Sequence, residues 1–235
     1  MKTLVMMPTF NEAETLRATI EKLIKQNLNV DILIIDDNSP DGTGALADRL
    51  KVEYSCVNVI HRPRKEGLGR AYAAGFRHGL EGNYARFIEM DADGSHRPED
   101  LAKLIAKSND AELVIGSRWI PGGEVANWSR LRQLISRFGN RYASVMLRSK
   151  VKDMTSGFRI YSASLVRRLP IEDMQAHGYG FQVEMTHTSE RLGSKILEVP
   201  IRFVEREGGR SKMTLAIVLE AFLLCTKWGL FGPRR

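Results

Sequence analysis

Asp91 and Asp93 stand one residue apart in FIEMDADGSHRPED, directly after an apolar run. At the end of an extended strand, side chains at i and i+2 point the same way, so these two carboxylates are expected to share one spot. Bare carboxylates that close repel, and one tends to keep its proton. A hard divalent ion removes the conflict, and Mg2+ or Mn2+ favours a few carboxylates completed by substrate phosphates. An isolated D-x-D before Pro98 and Glu99 reads instead as the acid-rich start of a helix. Three further polar clusters reverse that preference: Pro8 to Glu12 (PTFNE), Asp36 to Asp41 (DDNSPD) and Arg64 to Arg70 (RKEGLGR). Each follows an apolar run of its own.

The elements that must carry these clusters alternate. TLVMMP is an apolar run stopped by Pro8, and FNEAETLRATIEKLIKQ has one apolar helical face, with Asn11 and Glu14 resembling a capping pair. DILIID, VNVIH, ARFIEM and AELVIG read as buried strands. Helices over GLGRAYAAGFRHGL and PEDLAKLIA, and a short one ending at Leu50, fall between them. Unbroken apolar strands alternating with helices predict a mainly parallel α/β sheet covered on both faces. Such sheets bind ligands beyond the carboxyl ends of their strands, where all four clusters fall.

After Ser117 a Gly-rich turn and a helix occupy PGGEVANWSRLRQLISRFGNRYASVML. TSGFRIYS and ILEVPIRFVERE read as strands, with a helix over FQVEMTHTSERL between them. No linker interrupts the chain, so 1–235 is expected to be a single domain, with the four ligand-edge clusters in 1–117 and the basic residues that follow Ser117 in 118–235.

Acids after the second strand suit the hydroxyls or base of a nucleoside. Asp36, Asp37, Asn38 and Asp41 are also natural turn formers; Pro40 and Gly42 are expected to shape the turn while one or two acids reach the ligand. RKEGLGRAYAAGF matches neither the Walker spacing nor the dinucleotide fingerprint. Gly67 and Gly69 suit close helix packing as well as ligand contact.

The 235 residues carry a net charge of +7 and only two cysteines, which read as buried thiols. Arg118 to Lys150 holds seven basic residues and one acid, Glu124. Nucleic acid, a membrane surface or one specific phosphate site would each account for this run. Acidic clusters on the ligand edge argue against nucleic acid. The N-terminal apolar run is too short for a secretion signal, and no segment approaches the roughly 20 apolar residues of a spanning helix.

Taken together, PTFNE, IIDDNSPDGT, EGLGRAYAAGF, MDADGSH, VIGSRWIPGGEVANWSRLRQLIS, DMTSGFRIY, GYGFQVEM and VPIRFVEREGGRSKM resemble a family 2 glycosyltransferase with the A-type nucleotide-sugar fold. Within that family the chain is similar to the dolichol-phosphate mannosyltransferases, called polyprenyl-phosphate mannose synthases in bacteria. The resemblance implies transfer of mannose from GDP-mannose to the phosphate of a membrane polyprenol, with Mg2+ or Mn2+ and with inversion at the sugar. It implies a peripheral enzyme at the cytoplasmic face of the membrane, with a membrane-tethering partner protein as a further expectation. Pro8, Thr9, Glu12, Asp36, Asp37, Asn38, Asp41 and Lys65 then belong to the nucleotide-sugar side, with Asp91, Ala92 and Asp93. Asp91 and Asp93 become the metal residues. Some relatives carry Gln where this chain has Ser95, so Ser95 reaches the metal through its hydroxyl or a water. Arg118, Arg132, Ser136, Arg206 and Lys212 match positions around the acceptor phosphate. A polyprenyl-phosphate glucosyltransferase using a UDP-sugar is the alternative, and a nucleotide- or nucleic-acid-binding module a more distant one.

Arg118 and Asp153 complete the expected catalytic set, Asp153 as an acid that orients the sugar or acceptor or as a turn residue entering the strand. Glu184 is read as facing the sugar or as a helix-surface acid. His61, His78, His177 and His187 have no ligand spacing. EREGGRSKM is expected to close as a loop bringing Arg206, Arg210 and Lys212. The last helix, with Trp228, Phe231 and Lys227, is expected to seat at the membrane interface, with Arg234 and Arg235 near anionic lipid.

Overall fold

The computed structural model describes residues 1–174, 179–205 and 215–231, apart from the side chains of Tyr179, residues 215–221 and Phe231. The apolar runs become β1 (Thr3–Thr9), β2 (Asp31–Asp36), β3 (Val57–His61), β4 (Arg86–Glu89) and β5 (Leu113–Ser117). Between them lie α1 (Leu16–Ile24), α2 (Thr43–Glu53), α3 (Leu68–Glu81) and α4 (Pro98–Lys107). Then follow β6 (Glu124–Ala126), α5 (Arg130–Met146), β7 (Arg159–Ser162), α6 (Ala163–Val166) and α7 (Tyr179–Arg191). β8 (Ile196–Pro200), β9 (Arg202–Val204) and α8 (Leu215–Phe231) end the described chain.

The main sheet has seven strands in the order β3-β2-β1-β4-β7-β5-β8, so strands from both halves of the chain join in it. Its pairings are parallel except those of β7, which runs antiparallel between β4 and β5. β6 and β9 form a separate parallel pair. The unbroken apolar runs split with period two, as a sheet covered on both faces requires. Leu4, Met6, Leu33 and Ile35 pack with α3, α5, α7 and α8. Val5, Met7, Ile32 and Ile34 pack on the opposite face with α1, α2 and α4. This is an α/β fold with a mostly parallel central sheet flanked by helices.

Several local expectations change. Pro8 does not stop β1; it pairs in register with Ile35, and Thr9 with Asp36. Met6 accepts from Met90 on the β4 side, so Pro8, two residues on, faces the same side, where β4 has already ended and the missing N–H leaves nothing unpaired. Asn11 does not cap α1: its φ is 60°, and the helix starts five residues later, at Leu16 after Thr15. ILEVPIRFVERE divides into β8 and β9, which join different sheets, and β6 lies within the segment read as a Gly-rich turn. Cys56 is only half-buried, whereas Cys225 is buried. Trp228 packs in the core, and among the described side chains of α8 the apolar ones turned outward are Leu223 and Leu230.

Candidate active site

The carboxyl ends of β1, β2, β3 and β4 border a cavity of about 440 Å3. Pro8, Thr9 and Glu12 line it after β1, Asp37 after β2, Lys65 and Gly67 after β3, and Asp91, Ala92, Asp93 and Ser95 after β4. The two aspartates do not continue an extended strand, as the spacing argument assumed. β4 ends at Glu89, and the chain turns through Gly94, whose φ of 76° suits glycine. The turn still delivers both carboxylates to one cavity. Buried partners pin it: Asp93 accepts from Ser95 N–H at 3.0 Å, and Thr19 Oγ1 donates to the Ala92 carbonyl at 3.1 Å. Asp91 N–H donates to His96 Nδ1 at 3.0 Å. His96 is stacked on Phe158 at 5.0 Å, and burial pushes its pKa down to about 4, keeping the ring neutral and Nδ1 able to accept.

The acids after β2 divide. Asp37 lines the cavity and pairs with Arg62; burial raises its pKa, against the opposing pull of that guanidinium. Asp36 is buried and accepts from Thr9 Oγ1 and Ser39 Oγ. Asn38 donates to the Pro63 carbonyl, and Asp41 accepts from Thr43 and Ala13 backbone N–H groups. Burial raises the pKa of Asp41, but these hydrogen bonds outweigh it and hold the carboxyl below its ordinary value. Asp36, Asn38 and Asp41 therefore shape the turn and are not among the cavity's lining. The glycines divide as well: Gly67 lines the cavity, and a Cβ on Gly69 would lie 2.8 Å from the Phe181 ring. Lys65 Nζ sits over Phe10 at 4.0 Å.

The same cavity also has cationic lining. Arg118 is buried, with Nε and N–H each donating to Asp153 Oδ2 at 2.8 Å and Nη2 to Oδ1 at 2.7 Å. Nη2 also reaches Thr155 Oγ1 at 2.9 Å. Asp153 is fully buried and does not line the cavity, so it orients Arg118 and is not placed against a ligand. Arg132 pairs with Glu205 and stacks over Trp128 at 4.1 Å. Ser136, expected beside the acceptor, does not line the cavity, and its carbonyl accepts from Asn140. Arg206, Arg210, Lys212, the Gly208–Gly209 loop, His177, the Phe231 side chain, Arg234 and Arg235 lie outside the described residues. Glu184 does not line the cavity; Gln182, two residues earlier, does, and donates to the buried Glu89 at 2.9 Å. Burial raises the Glu89 pKa to about 7.

Sequence reasoning did not single out His96, Trp128, Thr155, Gln182, Phe203 or Glu205, all of which line the cavity. Trp128, Gln182, Phe203 and Glu205 sit inside the quoted motif stretches, but nothing in their types separated them from core or surface residues. Buried Ser95 Oγ, Trp128 Nε1, Arg132 Nε and Gln182 Oε1 have no hydrogen-bond partner among the described residues. Buried polar groups are usually satisfied, so four such atoms among the cavity's lining residues mark where ligand atoms belong. Among the described residues no group of three His, Cys, Asp or Glu side chains is placed to hold a metal alone. Two aspartates and the Ser95 hydroxyl instead fit a hard cation whose remaining ligands are phosphate oxygens.

Residues 4–169 match the family model described as Glycosyl transferase family 2. An undecaprenyl-phosphate mannosyltransferase of Micrococcus luteus is 49% identical over 230 residues, spanning 98% of this chain and 95% of that protein. A polyprenol monophosphomannose synthase of Mycolicibacterium smegmatis is 42% identical, spanning 98% and 88%. The glucosyl-3-phosphoglycerate synthase of Mycobacterium tuberculosis, solved with Mn2+, uridine-diphosphate-glucose and phosphoglyceric acid, superposes with a TM-score of 0.70 at 20% identity. That superposition spans 99% of this chain and 81% of that one, a likeness of fold. The chain belongs to glycosyl transferase family 2 and is a glycosyltransferase.

Proposed function

We propose that the enzyme transfers mannose from GDP-mannose to the phosphate of a membrane polyprenol, with Mg2+ or Mn2+ and with inversion of the anomeric centre. The observation that carries this reading is one cavity lined by two unlike sets of groups. Asp91, Asp93 and the Ser95 hydroxyl, unpartnered among the described residues, make up the first, and Arg118, Arg132 and the likewise unpartnered Trp128 indole N–H the second. The first suits a diphosphate held through a cation, the second a bare anion. The printed activities of the two relatives support mannose and a polyprenyl phosphate.

The residue roles follow from charge. Glu12 and Asp37 are placed to accept from the hydroxyls or base of a nucleoside entering beyond β1 and β2. Asp91, Asp93 and Ser95 would hold the divalent ion, which when bound neutralises the leaving diphosphate as a Lewis acid. The acceptor phosphate is already ionised at neutral pH, so the nucleophile needs orientation and no strong base. Arg118, fixed by Asp153, and Arg132, with its open Nε, orient that phosphate and offset the repulsion between two anions. Attack in line with the leaving diphosphate converts an α-linked donor into a β-linked product.

The lipid acceptor agrees with the outer face of the α5–α8 pair, where Phe222 packs on Tyr142 at 4.6 Å. Leu131, Leu134, Phe138, Leu223 and Leu230 are exposed there, and no helix among the described residues is long and apolar enough to cross a membrane. A peripheral seat at the cytoplasmic face, with or without a tethering protein, accounts for this surface. The test is incubation with labelled GDP-mannose, Mg2+ or Mn2+ and a short polyprenyl phosphate. Lipid-linked mannose is expected; product only from UDP-glucose would replace the donor, and neither product would end the reading.

A further inference from the structure

The basic run from Arg118 onward serves two places. Arg118 and Arg132 line the cavity already described, while Arg137, Arg141, Arg148 and Lys152 line a second bay of about 690 Å3. Arg118, clamped on Asp153, belongs to both linings and so forms the partition between them.

We propose that this second bay binds the phosphate headgroup of an anionic phospholipid, separately from the acceptor. Four cations converge there, all exposed, and none has an ion-pair partner among the described residues. Arg137 lies over the Trp119 ring at 4.9 Å, which restricts its guanidinium beside the bay. Arg148 follows the end of α5 with φ of 54°, a backbone state that glycine or asparagine adopts more readily. Chain geometry alone gives no reason for an arginine at that position, and the bay supplies one. The acids bonded to the bay's lining are already engaged: Glu190 accepts from Ser149 at 2.8 Å, Glu198 from the Lys152 backbone N–H at 2.9 Å, and Asp153 holds Arg118.

What surrounds the bay selects the ligand. Arg137 and Arg141 lie four apart on one stripe of α5, and Arg148 follows just beyond the helix end. Leu134, Phe138 and Val145 form the adjacent stripe and are 65%, 63% and 62% exposed, and Val145 lines the bay itself. A cationic stripe beside an apolar one fits a lipid surface, with phosphates against the arginines and acyl chains against the leucine and phenylalanine. A nucleic acid or a free phosphate would leave that apolar stripe uncovered.

The inference extends the membrane-lipid reading above, but its test uses no donor, acceptor or turnover, so either can fail alone. Flotation of the full chain is measured with vesicles of phosphatidylcholine, alone or mixed with phosphatidylglycerol, over a salt series. Phosphatidylglycerol is expected to raise binding, and the variant R137Q/R141Q/R148Q/K152Q to lose about tenfold or more of that gain. The control K22Q/K25Q/R49Q/K51Q removes equal charge from exposed sites on α1 and α2 and immediately after α1, across the sheet, and is expected to keep it. Arg141→Glu alone, checked for an unchanged melting temperature, replaces the fourfold variant should that one misfold. Equal loss in bay and control variants, or no loss in the bay variants, overturns the proposal. So does displacement of the chain from vesicles by millimolar inorganic phosphate, or tighter binding to an oligonucleotide than to the vesicles.

Discussion

The acidic and cationic walls of the cavity are assembled by different routes. Asp37, Asp91 and Asp93 sit just beyond β2 and β4, the parallel strands on either side of β1, within the first hundred residues and in short turns. Arg118, Trp128, Arg132, Thr155, Gln182 and Glu205 come from segments far apart in the chain. The antiparallel β7 and the β6–β9 pair bring those segments together, with Arg118 joined to Asp153 across 35 residues and Arg132 to Glu205 across 73. One wall is built from turns at strand ends, tied down by the Thr19–Ala92 and Arg62–Asp37 contacts, and the other is drawn together by ion pairs between distant segments.

The sharpest break in this comparison comes from the acidic wall. Asp91→Asn or Asp93→Asn should lower kcat by about a thousandfold and abolish metal-dependent donor binding by calorimetry, leaving melting temperature little changed. Near-normal turnover in both variants would remove the metal role. On the cationic wall the first effect should be on folding. Asp153→Ala removes the carboxylate that pairs with the buried Arg118 guanidinium, at a cost of about 3–5 kcal/mol in denaturant unfolding. Retained stability would mean that the long-range pair does not hold the wall. Arg132→Ala should raise KM for the lipid by roughly tenfold to a hundredfold and spare GDP-mannose affinity, since only the acceptor phosphate loses a charge-assisted contact. A selective loss of donor affinity would move Arg132 to the other side.

The smallest effect is a pH dependence in which two groups oppose each other. His96 has its pKa lowered to about 4 by burial, so the unfolded chain binds a proton that the native one refuses between that value and the ordinary 6.5. Stability should therefore fall as pH drops through this window, by about 1.4 kcal/mol per unit. Glu89 is raised to about 7 from 4.5, so its contribution is present at low pH and lost as pH rises through that range. Where the windows overlap the slopes nearly cancel. Glu89→Gln should expose the histidine slope, with stability climbing toward neutral pH. A flat profile in that variant would contradict the neutral, buried His96.

Legibility followed the same division. β1 to β5 and their helices were readable because unbroken apolar runs and 3.6-residue periods are local signals, and the D-x-D cluster fell at the predicted sheet edge. The antiparallel course of β7 was not readable, because TSGFRIYS buries its residues alike in either direction. Asp153 looked like a ligand residue or a turn former because its partner lies 35 residues away. Asp41 and Asn38 carried the right chemistry for a nucleoside but were spent on the turn, which composition cannot distinguish. Trp128 and Gln182 carry no ionisable group, so only a folded cavity reveals that they line it.

The division of labour itself is most directly tested in crystals grown with GDP-mannose and Mn2+. Anomalous density is expected between the Asp91–Asp93 pair and the diphosphate, with the Arg118 and Arg132 guanidiniums facing the open side of the sugar. Donor density with no ion at the aspartates, or with the diphosphate lying on the two arginines, would contradict it.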